Sequence, residues 1–290
     1  MLASMLVIVG IGELVRRRIH SAKRRSPLTK DLLRSPAHSL REELDDLRWD
    51  MVFYLMMGAV LPLVLYAGYL QQLILGVTAS WLHIGLLVIA GAGFTAYATF
   101  RVIKAVRQAY RLRLGIDAEL AAGEELNKLV RDGFWVFHDI RGESHFNIDH
   151  VVVGPTGVFA IETKGRPKLQ RGVEQDGHKV QYDGKSLRFP SWRESKPLQQ
   201  AELNATWLGR WLSSAVGEPV SVQPLVVLPG WYIDRTSGEG MPVINEKQAI
   251  GYVSKQRRGR LSEKLVQQIA HQLDQRCRDV APRTHANPSR

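Results

Sequence analysis

Cysteine is nearly absent: Cys277 is the only one in 290 residues. That excludes an internal disulfide and a cysteine-rich zinc site. There is no G-x-x-x-x-G-K-[ST] loop and no G-x-S-x-G elbow, so neither a nucleoside-triphosphatase nor an esterase reading has a motif behind it. His138, His145 and His150 fall close together, but no H-x-H or HExxH pairing occurs. In a strand His150 points away from Asp149, and a histidine-held zinc is set aside. Acid is scarce relative to base: 39 Lys and Arg against 28 Asp and Glu leave a net charge of +11. The expected partners are therefore anionic, nucleic acid or acidic lipid.

The longest gap in charge is residues 51–100, fifty positions without Asp, Glu, Lys or Arg. That is enough for two membrane spans and a tight connection, placed near 51–70 and 82–100 with 71–80 between. Pro62 is tolerable inside a membrane helix, and Trp49 and Trp81 suit the two interfaces. Six Lys or Arg crowd residues 16–25, and Arg101, Lys104, Arg107, Arg111 and Arg113 follow the second span. The connection carries none. The positive-inside rule then puts both flanks and everything C-terminal in the cytoplasm, as a multi-pass protein of the inner cell membrane. The run from 101 to 113 extends a helix out of the bilayer with a basic stripe available for phosphates.

Residues 1–15 are apolar except Glu13. They are too short for a full span and lack the charge order of a signal peptide. An interfacial anchor, a short tilted span and a misplaced start all stay open. Ser39, with Glu42 three residues on, reads as the cap of an amphipathic helix carrying Leu40, Leu44 and Leu47.

What the chain does have is concentrated in FNIDHVVVGPTGVFAIETKG, residues 146–165. Branched and aromatic residues fill two arms around a Gly-Pro-Thr-Gly turn, which is the pattern of a β-hairpin. With Pro155 and Thr156 as the central turn residues, Asp149 faces Glu162. Alternation puts Glu162 and Lys164 on one side of the strand, and facing side chains stand about 5 Å apart. Two carboxylates that close repel unless a cation lies between them. Hard oxygen donors suit Mg²⁺ or Mn²⁺, and Mg²⁺ takes one or two carboxylates and completes its shell with water and phosphate. A lysine beside such an ion can orient a water for phosphodiester hydrolysis. A charged rim at a sheet edge, with Lys164 neutralising the acids, is the plainer reading of the same residues.

The block around this hairpin resembles the nuclease-related domain (NERD), a branch of the restriction-endonuclease-like PD-(D/E)xK superfamily. The resemblance rests on AELAAGEELNKL, WVFHDI, IDHVVVGPTGVFAIETK and KPLQQA, and covers roughly residues 115–230. It implies an α/β fold, a mixed β-sheet flanked by helices, here preceded by the transmembrane α-helical hairpin. It implies that Glu119 is the helix glutamate, matched in preference to Glu124 by its spacing to Gly123, Leu126 and Leu129. It implies further that Asp149, Glu162 and Lys164 form the core of the site, that Asp149 and Glu162 hold the metal, and that Gln200 stands near them. Lys196 departs from the family's frequent Asn. Arg166, Lys168 and Arg171 have two open readings, contacts to a nucleic-acid backbone or solvated charges.

The remaining elements follow from pattern. A strand is expected at 134–140, and 166–189 forms short strands that, by the resemblance, continue the sheet beside the site. A helix at 197–214 presents Asn204, Trp207, Leu208, Trp211 and Leu212 on one apolar-rich face, with the tryptophans read as core. A strand follows at 220–228, and the tail from 279 reads as disordered. The expected layout is an apolar and basic N-terminal region at 1–50, the hairpin at 51–104, a basic linker at 105–114, the nuclease-like domain at 115–255, and a C-terminal helix and tail at 256–290. The expected function is Mg²⁺-dependent hydrolysis of DNA at the membrane with little sequence specificity, since nothing reads bases. The alternative is an inactive nucleic-acid-binding or scaffold protein there. Oligomeric state is not legible.

Overall fold

The computed structural model describes residues 10, 11, 14, 30–76, 80–143, 146–168, 177–256 and 260–282. The readings made for residues 1–9, the basic cluster 16–25, His145, Arg171 and the tail beyond 282 lie outside these. The chain divides into two units. In the smaller one, strands β1 (Leu32–Leu33) and β11 (Arg278–Val280) pair antiparallel. The larger one runs from Arg34 to Cys277 and holds all the other elements.

That larger unit begins with two long helices, α1 (His38–Ile74) and α2 (Trp81–Asn127). Both are long and apolar enough to cross a bilayer. The expected spans fall inside them, and their outward faces carry large exposed side chains such as Leu63, Leu82 and Ile89. The segment 105–114, read from composition as a linker, is helical and continuous with what precedes and follows it. The reason is local: Ala, Arg, Gln and Leu dominate it, and neither Gly nor Pro interrupts it before Gly115. At 47 residues, α2 is about 70 Å long.

Ser39 does not cap α1. The N-cap is Ala37, in a left-handed conformation with no side-chain hydrogen bond. The missing acceptor comes from the sheet instead, as described below.

The main sheet has five strands in the order β10-β8-β4-β3-β2. Strands β2 (Trp135–Arg141), β3 (Asn147–Gly154) and β4 (Gly157–Thr163) form an antiparallel meander, and β8 (Val222–Val227) and β10 (Val243–Ile244) add on in parallel. Helices cover both faces. On one, Val151, Val153, Val158 and Ala160 pack against α3 (Lys196–Val216) and α5 (Glu263–Cys277) through Leu208, Leu212, Ile269 and Leu273. On the other, Val152, Phe159 and Ile161 meet the end of α2 and α4 (Glu246–Lys255) through Leu126, Ala249 and Val253. Every residue of β4 is buried, which accounts for its nearly unbroken apolar run.

The segment 177–189, expected to continue this sheet, does not extend it. Strands β5 (Lys179–Tyr182), β6 (Leu187–Arg188) and β7 (Arg193–Glu194) join β9 (Tyr232–Arg235) in a second sheet, ordered β7-β6-β5-β9. Tyr182, Phe189 and Trp231 share one core with Leu198 and Ala201 of α3 and with Val226 and Val243 of the main sheet.

Candidate active site

The β3–β4 hairpin sets the geometry. Pro155 and Thr156 form the turn, and Gly154 faces Gly157. The register continues to His150 opposite Ile161. The next pair in that register is Asp149 with Glu162, whose side chains project on the face covered by α3. Asp149 Oδ2 accepts the Thr163 backbone N–H at 2.7 Å, which ties the two strands together at this point. Glu162 is fully buried. Lys164 Nζ makes an ion pair with its Oε1, and Asn204 Nδ2 of α3 donates to its Oε2 at 3.0 Å.

Glu119 reaches the same neighbourhood from α2. It is buried, and its Oε2 has no hydrogen-bond partner. Burial raises its pKa to about 9, and the charges of Asp149, Asp139 and Glu162 add to the shift. Burial also lifts Glu162 to about 8, helped by Asp149 and opposed by Lys164. Asp149 is lifted to about 6, again chiefly by burial, with Lys164 and the Thr163 N–H working against it. Lys164 is pushed above the usual lysine range: burial acts against its charge, but the two carboxylates outweigh it. The cluster therefore holds more acid than its single amine can balance, and at neutral pH it keeps protons that free carboxylates would lose.

Among the described residues no three His, Cys, Asp or Glu side chains converge tightly enough to hold a metal ion by themselves. Asp149 and Glu162 alone are a hard-oxygen pair. A Mg²⁺ ion held by them would draw its other ligands from water and phosphate, which is the usual habit of that ion.

The other anticipated residues fall elsewhere. Gln200 is half-buried on the first turn of α3, and the residue that bonds Glu162 is Asn204, one turn later. The sequence pattern assigned Asn204 to an apolar face; an amide alone among Ala, Trp and Leu was the available signal. Arg166 is committed to Glu194 in a bidentate pair at 2.7 and 2.8 Å, and Lys168 donates to the Gly230 carbonyl and lies 5.4 Å from the Trp231 ring centre. Trp207 and Trp211 are half-buried and stacked on each other, with Arg276 against both rings.

His138 and His150 meet across β2 and β3, Nδ1 to Nδ1 at 2.9 Å, and His138 Nε2 contacts Asn127 Oδ1 at 3.1 Å. Burial takes His138 down to about 4 and His150 well below the usual range. Both are neutral at pH 7, and the network assigns the shared proton to His150 Nδ1. They pack on the α2 side, away from the carboxylates.

Asp139 was legible only as part of a strand motif. It is fully buried and left-handed, with φ 51°. Its Oδ2 accepts from Arg34 Nη1 at 3.0 Å, from Ser39 N at 2.7 Å and from Ser39 Oγ at 2.8 Å, and Asn147 donates to its Oδ1. It thus caps α1 from the sheet and joins the hairpin's base to β2.

Two carboxylates in register, a lysine two residues on and a helix glutamate make up a phosphodiesterase-like set. Residues 114–229 match the nuclease-related domain. All of these side chains fall inside that match, and a nuclease-related domain implies a nuclease-like function with a nucleic-acid ligand. No curated protein and no solved structure matches the chain.

Proposed function

We propose that the nuclease-related domain of this chain is an active, Mg²⁺-dependent nuclease. It hydrolyses DNA with little sequence specificity and is carried on a membrane hairpin that faces it to the cytoplasm. The observation that carries the reading is the register of β3 and β4, which sets Asp149 against Glu162 with Lys164 on Glu162. Asp149 and Glu162 are the residues that would hold the ion. When bound, the ion supplies charge to the phosphoryl oxygens and acidifies a water. Lys164, held beside the two carboxylates by its pair with Glu162, would orient the attacking water and offset charge on phosphorus. Glu119, holding a proton at neutral pH, limits the total negative charge of the cluster. Asn204 fixes the Glu162 carboxylate. Apolar length in α1 and α2 supports the membrane placement, and the excess of Lys and Arg on both flanks supports the cytoplasmic side.

The test is cleavage by the purified full chain of linear, nicked and single-stranded DNA and of RNA, with Mg²⁺ or Mn²⁺. Loss of cutting in Asp149→Ala and Lys164→Ala, with folding retained, supports the enzyme. Salt-sensitive binding without cutting leaves a nucleic-acid-binding scaffold instead, a reading favoured by the Lys164–Glu162 pair, which occupies one of the two carboxylates that would hold the ion.

A further inference from the structure

We infer that Arg107 and Arg111 form a clamp for the phosphate backbone of the nucleic acid that this site acts on, an inference that rests on the nuclease reading. Both are exposed on α2, and no ion pair holds either within the described residues. They are four residues apart, about 6 Å along the helix, which spans about two phosphates of one strand at 3.4 Å of duplex axis each.

Their placement connects them to the site. Gly165, the residue after Lys164, lies against α2 so closely that a Cβ there would run into the Leu114 carbonyl oxygen and crowd the Ala118 side chain. Arg107 is seven residues before Leu114, two turns back and within about 20° of it; Arg111 is three residues before, within about 60°. Both arginines therefore stand on the edge of α2 where the strand bearing Lys164 arrives. They are about 4–10 Å further up the axis.

The neighbouring cations are placed differently. Lys104 lines a groove with Glu43, Asp46 and Asp50 of α1, which offset its charge. Arg113 points about 160° away from Arg111 around the helix. Arg101 lies over the Tyr54 ring at 4.6 Å. Lipid headgroups are the less suited occupant. Arg107 and Arg111 lie about 10–16 Å beyond Phe100 along α2, and one headgroup layer is about 5–7 Å deep.

The test uses the detergent-solubilised full chain in EDTA, which prevents cutting, with a fluorescein-labelled 20-base-pair duplex of mixed sequence followed by anisotropy across a salt series. R107Q/R111Q is expected to weaken binding at least tenfold at about 0.1 M salt and to lower the log–log salt slope by about 1.8, two contacts' worth. K104Q and R113Q are each expected to change it less than about twofold. Equal losses in all three variants, or none in R107Q/R111Q, overturn the clamp. So does a wild type that binds no duplex. Repeating the titration in phosphatidylcholine nanodiscs with and without phosphatidylglycerol separates the lipid source: a loss confined to the anionic discs also overturns it. Cleavage in Mg²⁺ of the duplex and of bis(p-nitrophenyl) phosphate reports on the nuclease reading separately. A wild type that cuts while R107Q/R111Q still binds normally removes the clamp alone. A wild type that binds but cuts neither substrate removes the nuclease alone.

Discussion

Glu119→Gln should make the metal-free protein more stable. The folded pKa near 9 lies far above the value of about 4.3 for a free Glu. A raised folded pKa gives stability that is complete below the unfolded pKa and is lost as pH rises toward the folded one. At pH 7 the unfolded chain has released the proton and the folded chain has not. The span of about 2.7 units between the free value and pH 7, at 1.36 kcal/mol each, is an upper figure of about 4 kcal/mol that wild type forgoes and a glutamine does not. The new amide must find partners in a buried site, and leaving one of its groups unsatisfied costs about 1–3 kcal/mol. A net gain of about 1–3 kcal/mol remains, or about 2–12 °C in melting temperature for a domain of this size. The assay is a thermal scan of the full chain in detergent and EDTA at pH 5, 7 and 9, followed by Trp fluorescence, with DNA cleavage in Mg²⁺ alongside. The gain should be smallest at pH 5 and grow toward pH 9. A Gln variant that is less stable by the same amount at all three pH values would refute the claim that Glu119 is held neutral by its surroundings.

Other expectations follow from the same geometry. Asn204→Ala removes the donor to Glu162 Oε2; it should destabilise the chain by about 1–3 kcal/mol and weaken Mg²⁺ binding, both readable by calorimetry. Asp139→Ala leaves Arg34 buried without its carboxylate and should cost about 3–5 kcal/mol, with amide exchange rising first at the start of α1. Mg²⁺ binding should release protons and tighten as pH rises from 6 to 8, because Asp149 and Glu162 are lifted to about 6 and about 8 and must ionise to act as ligands; titration calorimetry in buffers of different ionisation enthalpy measures the count.

The hairpin was readable because turn chemistry and strand alternation fix register within a few residues. Gly154, Pro155, Thr156 and Gly157 leave one good turn, and the facing pairs follow from it. The long helices were readable because uncharged length has few other uses. What escaped was long-range. Asp139 sits in an ordinary strand sequence, and nothing near it shows that it caps a helix a hundred residues upstream. Ser39 looked sufficient as a cap, yet the acceptor is supplied from β2 while Ser39 itself donates. Asn204 was counted into an apolar stripe because periodicity registers position and not the carboxylate that meets it. Arg166 looked available until β7 brought Glu194 to it. The second sheet was missed because β9, which pairs with β5, lies about fifty residues further along the chain.

The unbroken course of α2 has a mechanical meaning. From Phe100 to Glu119 there is about 29 Å of helix and no joint, and Asp139 bolts the adjoining helix to the same sheet. Set in a bilayer, this is a fixed post and not a head swinging on a tether. Its reach would then be a shallow layer beside the membrane, and any nucleic acid it met would have to be brought to that depth.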